Sequence, residues 1–424
     1  MSPSLARNPD RVASIMLSWH SLDLASCTTL QTLWAGYGQI CAITARATTD
    51  EAAEHLDELC GVESGATGTT YPLILKLISP PPRKSAGNSN EDEGHLRKML
   101  SYEVEQYFYS DIVPLLGNEV AVAKCLASTR GDIDGEEELK GLMATIMVDL
   151  RPKFPVSGGK RSVLNGNQVR GALDWLAGFH RRSWGLLSGN LEEYVLPPLE
   201  EFSRRQSAAS KSIGSGLWLN GGYTYLATRQ KEYASLAQDT DSEWSEAMCS
   251  RASESSSLSV AEMAALFLTP CGRSTESYIH GDVKSENLYT TADGNEVAFF
   301  DFQYVGLGLG VCDLAKLFTC SVPLHMLVDA NEPLPEQLTM CDGEKRLLKQ
   351  YRMSLLQGKE LDSYEWETFK RHWETALVDW CRFQASWGFW GNTEWLEARV
   401  RSILSDQEWR NWLHWNISNR DGRR

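Results

Sequence analysis

The sequence predicts an α+β chain of two lobes, a smaller strand-rich one followed by a larger, mainly helical one. Three observations carry this. Apolar runs bounded by Pro and Gly dominate roughly the first third of the chain, helical periodicity takes over from about residue 165, and 424 residues would usually divide into two or more lobes. The divisions expected are an N-terminal extension over 1–24, a strand-rich lobe over 25–148 and a helical lobe over 149–419.

Taken in order, "QICAITARAT" (39–48) and "YPLILKLIS" (71–79) read as strands because apolar and β-branched residues fill them. "PPPRKSAGNSNEDEG" (80–94) is too polar and too rich in Pro, Gly and Asn for ordered core and reads as a mobile loop. "HLRKMLSYEVEQYFYSDIVPLL" (95–116) places Leu100, Val104, Tyr107 and Phe108 at helical spacing. "ATIMVDL" (144–150) reads as another buried strand. In "NQVRGALDWLAGFHRRSW", Val169, Ala172, Leu173, Leu176 and Phe179 share one face, so a core-facing helix is expected, with His180 at its end packed or capping rather than catalytic. Two Ser-rich stretches, "SRRQSAASKSIGSG" and "CSRASESSSLS", read as surface insertions or linkers. Ser259 with Glu262 then forms a capping box that opens "VAEMAALFL". Trp366, Trp373, Trp380 and Trp387 recur every seven residues, one stripe along a helix. The stripe reads first as packing on the core; the sharper reading is that its last tryptophans line a substrate pocket, where an indole face can hold a cation.

Composition bounds the function. Hydrophobic residues are 42% and charged residues 23%, ordinary for a soluble globular chain. A formal net charge of −15 argues against nucleic-acid binding, which needs a basic face, and is compatible with a cationic substrate. No apolar run is long enough for a signal peptide or a membrane span. The ten cysteines are scattered without CxxC or Cys/His ligand spacing, which suggests reduced, mostly buried thiols and a cytoplasmic protein without zinc.

The chemistry sits in "SYIHGDVKSENLY" (278–290). His280-Gly281-Asp282 interrupts an apolar run that resumes at Leu288, so a polar loop is pinned between two short strands. Downstream, the strand Val297 to Phe300 delivers Asp301 at its end, with the hairpin turn "TADGNE" between. Asp282, Asn287 and Asp301 are thereby expected along one edge of a small hairpin. An amide oxygen with a carboxylate suits Mg²⁺, a hard cation that prefers oxygen and phosphate. An Asp beside them is placed to accept a hydroxyl proton. The pattern points to phosphoryl transfer, which also requires groups that hold nucleotide phosphates. Gly36 and Gly38 in "WAGYGQICAI" stand at the turn before a strand, where backbone N–H groups can approach phosphate. Lys76 is a cation amid apolar neighbours that needs a counter-charge, and Glu105 on the following helix is its natural partner.

The order of glycine turn, strand Lys, helix Glu, "IHGDVKSEN" and "FFDFQ" resembles the protein-kinase-like superfamily. Within it the chain is similar to the aminoglycoside phosphotransferase and choline- and ecdysteroid-kinase-like branch, which has His-Gly-Asp where protein kinases have His-Arg-Asp. "DFQ" followed by Asp313-Leu314-Ala315, "WLAGFH" and "GLWLNGGYTYL" extend the likeness over roughly residues 33–392, with 278–316 the specific part. The resemblance implies a two-lobed protein-kinase-like fold and ATP- and Mg²⁺-dependent transfer of the γ-phosphate to a small-molecule alcohol. It implies Asp282 as catalytic base, Lys284 reaching the transferred phosphate, and Asn287 with Asp301 as Mg²⁺ ligands. Lys76, oriented by Glu105, would contact the nucleotide phosphates. Met147 and Val148 would begin the hinge whose backbone receives adenine, and Asp313 would brace the catalytic loop. Cys41 replaces the third glycine of the usual phosphate loop. Gln303, Trp387 and Trp390 are candidate acceptor contacts, since the acceptor is expected between the catalytic loop and the C-terminal helices.

Two other functions compete, a protein kinase and a nucleotide-binding pseudokinase. The 12-residue step from Asp301 to Asp313 is short for a peptide-binding segment, and no Ala-Pro-Glu tripeptide occurs. Every polar catalytic position retains usable chemistry, which argues against a pseudokinase.

Overall fold

In the computed structural model the described residues are 8–62, 65–81, 93–130, 138–207, 216–252, 256–329 and 333–420. Most of the expected mobile loop at 80–94 and the central parts of both Ser-rich stretches lie outside them. The chain divides into two compact units, Met1–Lys153 and Phe154–Arg424. The first is built on an antiparallel sheet and the second mainly on helices, the α+β division expected of the kinase-like class.

The first unit contains strands β1 (Leu22–Thr32), β2 (Gly38–Ala47), β3 (Thr70–Ile78), β4 (Cys125–Ser128) and β5 (Met143–Val148) in the spatial order β1-β2-β3-β5-β4. Helices α1 (Pro9–Ser18), α2 (Asp50–Cys60), α3 (Glu93–Tyr107) and α4 (Val113–Leu116) accompany it. The unit ends five residues beyond the expected division, and residues 9–24 are not an appended extension. Val12, Ala13, Met16 and Leu17 of α1 are fully buried in one core with Cys41, Ile43, Leu73, Leu75 and Ile146 of the sheet. The expected helix over 95–116 is interrupted by one π turn, Phe108–Ile112, before α4. Helix α2 starts where the Thr49 hydroxyl accepts the Ala52 N–H at 3.2 Å and stops at Gly61, whose φ of 67° needs no Cβ accommodated.

The second unit holds β6 (Val156–Ser157), β7 (Glu276–Ile279), β8 (Leu288–Thr290), β9 (Val297–Phe299) and β10 (Gly306–Leu309). Its helices are α5 (Gly166–Ser183), α6 (Pro198–Ser207), α7 (Gln230–Gln238), α8 (Val260–Leu268), α9 (Val311–Cys320), α10 (Leu324–Leu327), α11 (Asp342–Leu355), α12 (Trp366–Trp387), α13 (Thr393–Ser405) and α14 (Gln407–Ser418). The capping box forms as expected: Ser259 Oγ accepts the Glu262 N–H at 3.1 Å and Glu262 returns the bond at 2.7 Å. Trp175 of α5 packs at a tilt on Phe299 and Phe179 meets Phe302 edge-on, which seats α5 against the β8–β9 hairpin. The tryptophan stripe of α12 divides. Trp373 and Trp380 are buried, whereas Trp387 is 57% exposed.

All ten cysteines are free thiols. Only Cys41 and Cys381 are buried, so the expectation of mostly buried thiols is corrected: seven are half-buried and Cys271 is exposed. Among the described residues no helix is long and apolar enough to cross a membrane.

Candidate active site

Strand β7 pairs with β10, and the chain leaves Ile279 into a turn that only glycine permits. Gly281 has φ 82°, and a Cβ there would stand 2.3 Å from the Tyr304 carbonyl oxygen and 2.6 Å from the Gly222 nitrogen. The turn is held from beneath by Asp313, at the start of α9. Its Oδ2 accepts the His280 N–H at 2.7 Å and its Oδ1 the Gly281 N–H at 2.9 Å. His180 Nε2 lies 3.2 Å from Asp313 Oδ2, and His180 Nδ1 meets the Tyr351 hydroxyl at 2.7 Å. Burial works against ionisation of Asp313, but the His180 hydrogen bond and the charges around it outweigh burial and hold the carboxyl below its ordinary range. Lys316, one turn along α9, donates to the Gly281 carbonyl.

The loop's side chains follow from this brace. His280 is fully buried, and burial pushes its imidazole down. Its Nδ1 accepts the Asp282 N–H at 3.2 Å, so Nε2 carries the proton donated to the Phe300 carbonyl at 2.9 Å. Asp282 Oδ2 accepts from Asn287 Nδ2 at 3.0 Å and from Lys284 Nζ at 3.1 Å. Among the described residues no donor engages Asp282 Oδ1. Burial opposes the Lys284 charge, yet Asp282 more than compensates and raises the ammonium above its usual range.

Asn287 Nδ2 also donates to the Asp282 carbonyl at 2.9 Å, which fixes the amide so that Oδ1 is its remaining acceptor. Leu288 faces Phe299 across the hairpin, and the Asn287 carbonyl accepts the Phe300 N–H at 3.0 Å, so Asp301 follows directly beside Asn287. Asp301 has φ 66°, unusual for a residue with a Cβ. Its Oδ1 accepts from Gln303 Nε2 at 2.7 Å, and the Gln303 carbonyl accepts the Trp218 indole N–H at 2.8 Å. Two neighbouring oxygen donors, one amide and one carboxylate, fit Mg²⁺, which takes few protein ligands and completes its shell with water and phosphate.

In the first unit, Lys76 of β3 is buried and donates to Glu105 Oε2 at 2.5 Å. Strand β3 is flanked by β2 and β5, so Lys76 is not on a sheet edge. Lys76, Glu105, Gln106, Thr145 and Met147 line one cleft with Tyr102 and Tyr109. Gly36 and Gly38 flank Tyr37 in the β1–β2 turn. Gly36 (φ 73°) donates its N–H to the Leu33 carbonyl at 3.0 Å, so that N–H serves the turn. Gly38 is required because a Cβ would stand 2.1 Å from the Leu77 carbonyl oxygen. The Val148 N–H donates to the Lys124 carbonyl at 2.9 Å.

The acceptor candidates fall in two places in the second unit. Gln303 touches Asp301. Trp387 and Trp390 form an aromatic cluster with Phe383, at 6.0 Å from each, and among the described residues neither hydrogen-bonds the 280–287 loop. A small cavity of about 30 Å³ between α8, α9 and α12 is lined by Asn220, Thr224, Lys316, Asp379 and Trp380. Sequence reasoning missed Lys316, Gly222, Trp218 and Tyr351. Trp218 and Gly222 lie in the quoted "GLWLNGGYTYL", which gave them no individual role, and the spacing that puts Lys316 on the Asp313 face of a helix was the signal for Lys316.

Residues 226–337 match the model of the phosphotransferase enzyme family, a segment that carries the catalytic loop, Asn287, Asp301 and Asp313. That segment is similar to the phosphotransferase enzyme family, in agreement with the resemblance read from the motifs. No curated protein matches the chain. Similar solved structures include Plasmodium vivax ethanolamine kinase, 11% identical over 92% of this chain and 84% of that one, with a TM-score of 0.36. A thermostable mutant of an aminoglycoside phosphotransferase, bound to ADP and hygromycin B, is 10% identical over 93% and 97% of the two chains, with a TM-score of 0.41. The macrolide 2'-phosphotransferase of Brachybacterium faecium is 14% identical over 94% and 98%, with a TM-score of 0.38.

Proposed function

We propose that this protein is an ATP- and Mg²⁺-dependent kinase of a small-molecule alcohol, acting in the cytoplasm. The observation that carries the reading is the state of Asp282. One of its oxygens is anchored by Asn287 and Lys284 while the other is left to accept a proton. In the proposed reaction the acceptor hydroxyl gives its proton to Asp282 Oδ1 as its oxygen bonds the γ-phosphorus. The bond from that phosphorus to the bridging oxygen breaks, and ADP leaves. Asn287 Oδ1 and Asp301 would hold Mg²⁺, which would supply charge neutralisation on the phosphates.

The chain's own residues position the partners. Gln303 and the Asn287 amide limit the freedom of the two metal donors. Lys284 steadies Asp282 and is placed to meet the transferred phosphate. Lys76, oriented by Glu105, contacts the nucleotide phosphates, and the Met147 side chain in the same cleft contacts the base. The turn at Gly36 and Gly38 is proposed to cover the phosphates. The acceptor's non-reacting part is proposed to lie between the catalytic loop and the C-terminal helices.

A small acceptor is favoured over a peptide because the segment after Asp301 is already spent on structure. Gly306–Leu309 pairs with β7 and α9 begins at Val311, which leaves no free platform for an extended chain. The test is a screen of alcohols for nucleotide-dependent phosphorylation, read by mass spectrometry, with Mg²⁺ omitted in parallel. Phosphate incorporation into a protein panel with none into any alcohol would reverse the assignment.

A further inference from the structure

The aromatic cluster at the C-terminal end of α12 already holds cations of the chain itself. Tyr223, Phe383 and Trp387 present their rings to one guanidinium, with Arg229 Cζ 5.3, 5.7 and 5.1 Å from the respective centroids. Arg229 is buried at the N-terminus of α7 and is fixed in place. Its Nε donates to the Tyr223 carbonyl at 2.8 Å and its Nη1 lies 3.3 Å from Glu232. Lys316 Nζ stands 6.0 Å from the Tyr223 centroid and 5.9 Å from that of Trp380 while it donates to the Gly281 carbonyl. The cluster adjoins the reacting groups, since Tyr223 packs on Tyr304 at 5.0 Å, three residues past Asp301.

An aromatic face attracts a cation through its ring quadrupole, most strongly where water is excluded. Here that attraction is already satisfied from within. An incoming quaternary ammonium would have to displace a hydrogen-bonded guanidinium, or sit beside one and suffer like-charge repulsion at reduced dielectric. We propose that Arg229 is a built-in plug of the aromatic cage, a specificity-determining residue that excludes quaternary ammonium alcohols and leaves acceptors without a fixed positive charge. The inference rests on the small-molecule kinase reading and sets the charge class of its acceptor. A purely structural Arg229, tying α7 to α12, would lower stability when removed but would open no site for a cation.

Tetramethylammonium separates the two roles. It is titrated into the full chain and into Arg229→Ala, with calorimetry and indole fluorescence as readouts. We expect no saturable binding to the unmodified protein, and binding at least about ten-fold tighter in Arg229→Ala. Arg229→Lys, which restores a cation, should again exclude the probe, and adding Trp387→Ala to Arg229→Ala should remove the gain. Should Arg229→Ala fail to fold, the shorter neutral Arg229→Gln takes its place with the same expectation. Trp387-dependent binding to the unmodified protein overturns the proposal, as does a folded Arg229→Ala that gains nothing. The probe has no hydroxyl, so a failed phosphorylation screen would overturn the kinase reading without moving this result.

Discussion

At the scale of single residues, Asp282 and Asp301 are two carboxylates given different work by their neighbours. Asp282 is anchored through one oxygen by an amide and an ammonium, the arrangement of a positioned proton acceptor. Asp282→Asn preserves shape but removes the basic oxygen, so turnover of an identified alcohol should fall about 10²–10⁴-fold, roughly 3–5 kcal/mol of barrier. Nucleotide affinity should stay nearly unchanged, since Asn287, Asp301 and Lys76 are untouched. Retained turnover would reduce Asp282 to a scaffold residue. Asp301 stands at the end of β9 with a left-handed backbone, beside the one amide oxygen that Asn287 leaves unspent. Asp301→Ala should therefore abolish the Mg²⁺ dependence of ATP binding, measured by calorimetry with and without the metal. An unchanged dependence would remove Asp301 from the metal site.

At the scale of elements, the catalytic loop is positioned by a helix start rather than by its own turn. Asp313 accepts two consecutive backbone N–H groups and is itself clamped by His180. Asp313→Asn turns one acceptor into a donor facing an N–H and removes the carboxylate that His180 Nε2 meets in the interior. A loss of about 3–5 kcal/mol in denaturant unfolding is expected, the usual cost of breaking a buried charged contact. Turnover should fall with it, whereas Asp282→Asn should lower turnover at intact stability; a stable, active Asp313→Asn would show that the loop holds itself. This brace also marks where the sequence became hard to read. The loop, its hairpin turn and Asp301 were legible because they lie within about two dozen residues and alternate sharply between apolar and polar. His180 and Asp313 are separated by 133 positions, so their contact left no local pattern. Helix α1 escaped notice because it is short, and β1 because only Leu22 of its eleven residues is buried. The tryptophan stripe was legible as a helix, yet spacing did not reveal that Trp387 would leave the core and meet Arg229.

At the scale of the whole molecule, the larger unit carries buried groups that tie its stability to pH. His372 of α12 is enclosed by the Tyr364 hydroxyl at 2.5 Å, the rings of Phe267 and Trp412 and the charge of Arg273. Burial, and then Arg273, push its imidazole down from 6.5 to about 3. His280 is shifted in the same direction by burial. The folded chain thus keeps both rings neutral while the unfolded chain protonates them, so stability is full above the ordinary histidine range and is lost as pH falls below it. His372 alone gives a slope of up to about 1.4 kcal/mol per pH unit below about 6.5. Glu374, whose carboxyl burial raises, works the other way once pH approaches the carboxylate range. Lys284, held charged by Asp282, affects only the alkaline limb. Between pH 6.5 and 5 the histidines should therefore dominate, and the unfolding midpoint should drop by the equivalent of roughly 2 kcal/mol or more. His372→Gln, which cannot titrate, should flatten that decline by about one proton's worth even if it lowers stability throughout. A midpoint that stays level from pH 7 to 5 in the unmodified protein would mean that these rings are already solvated when folded.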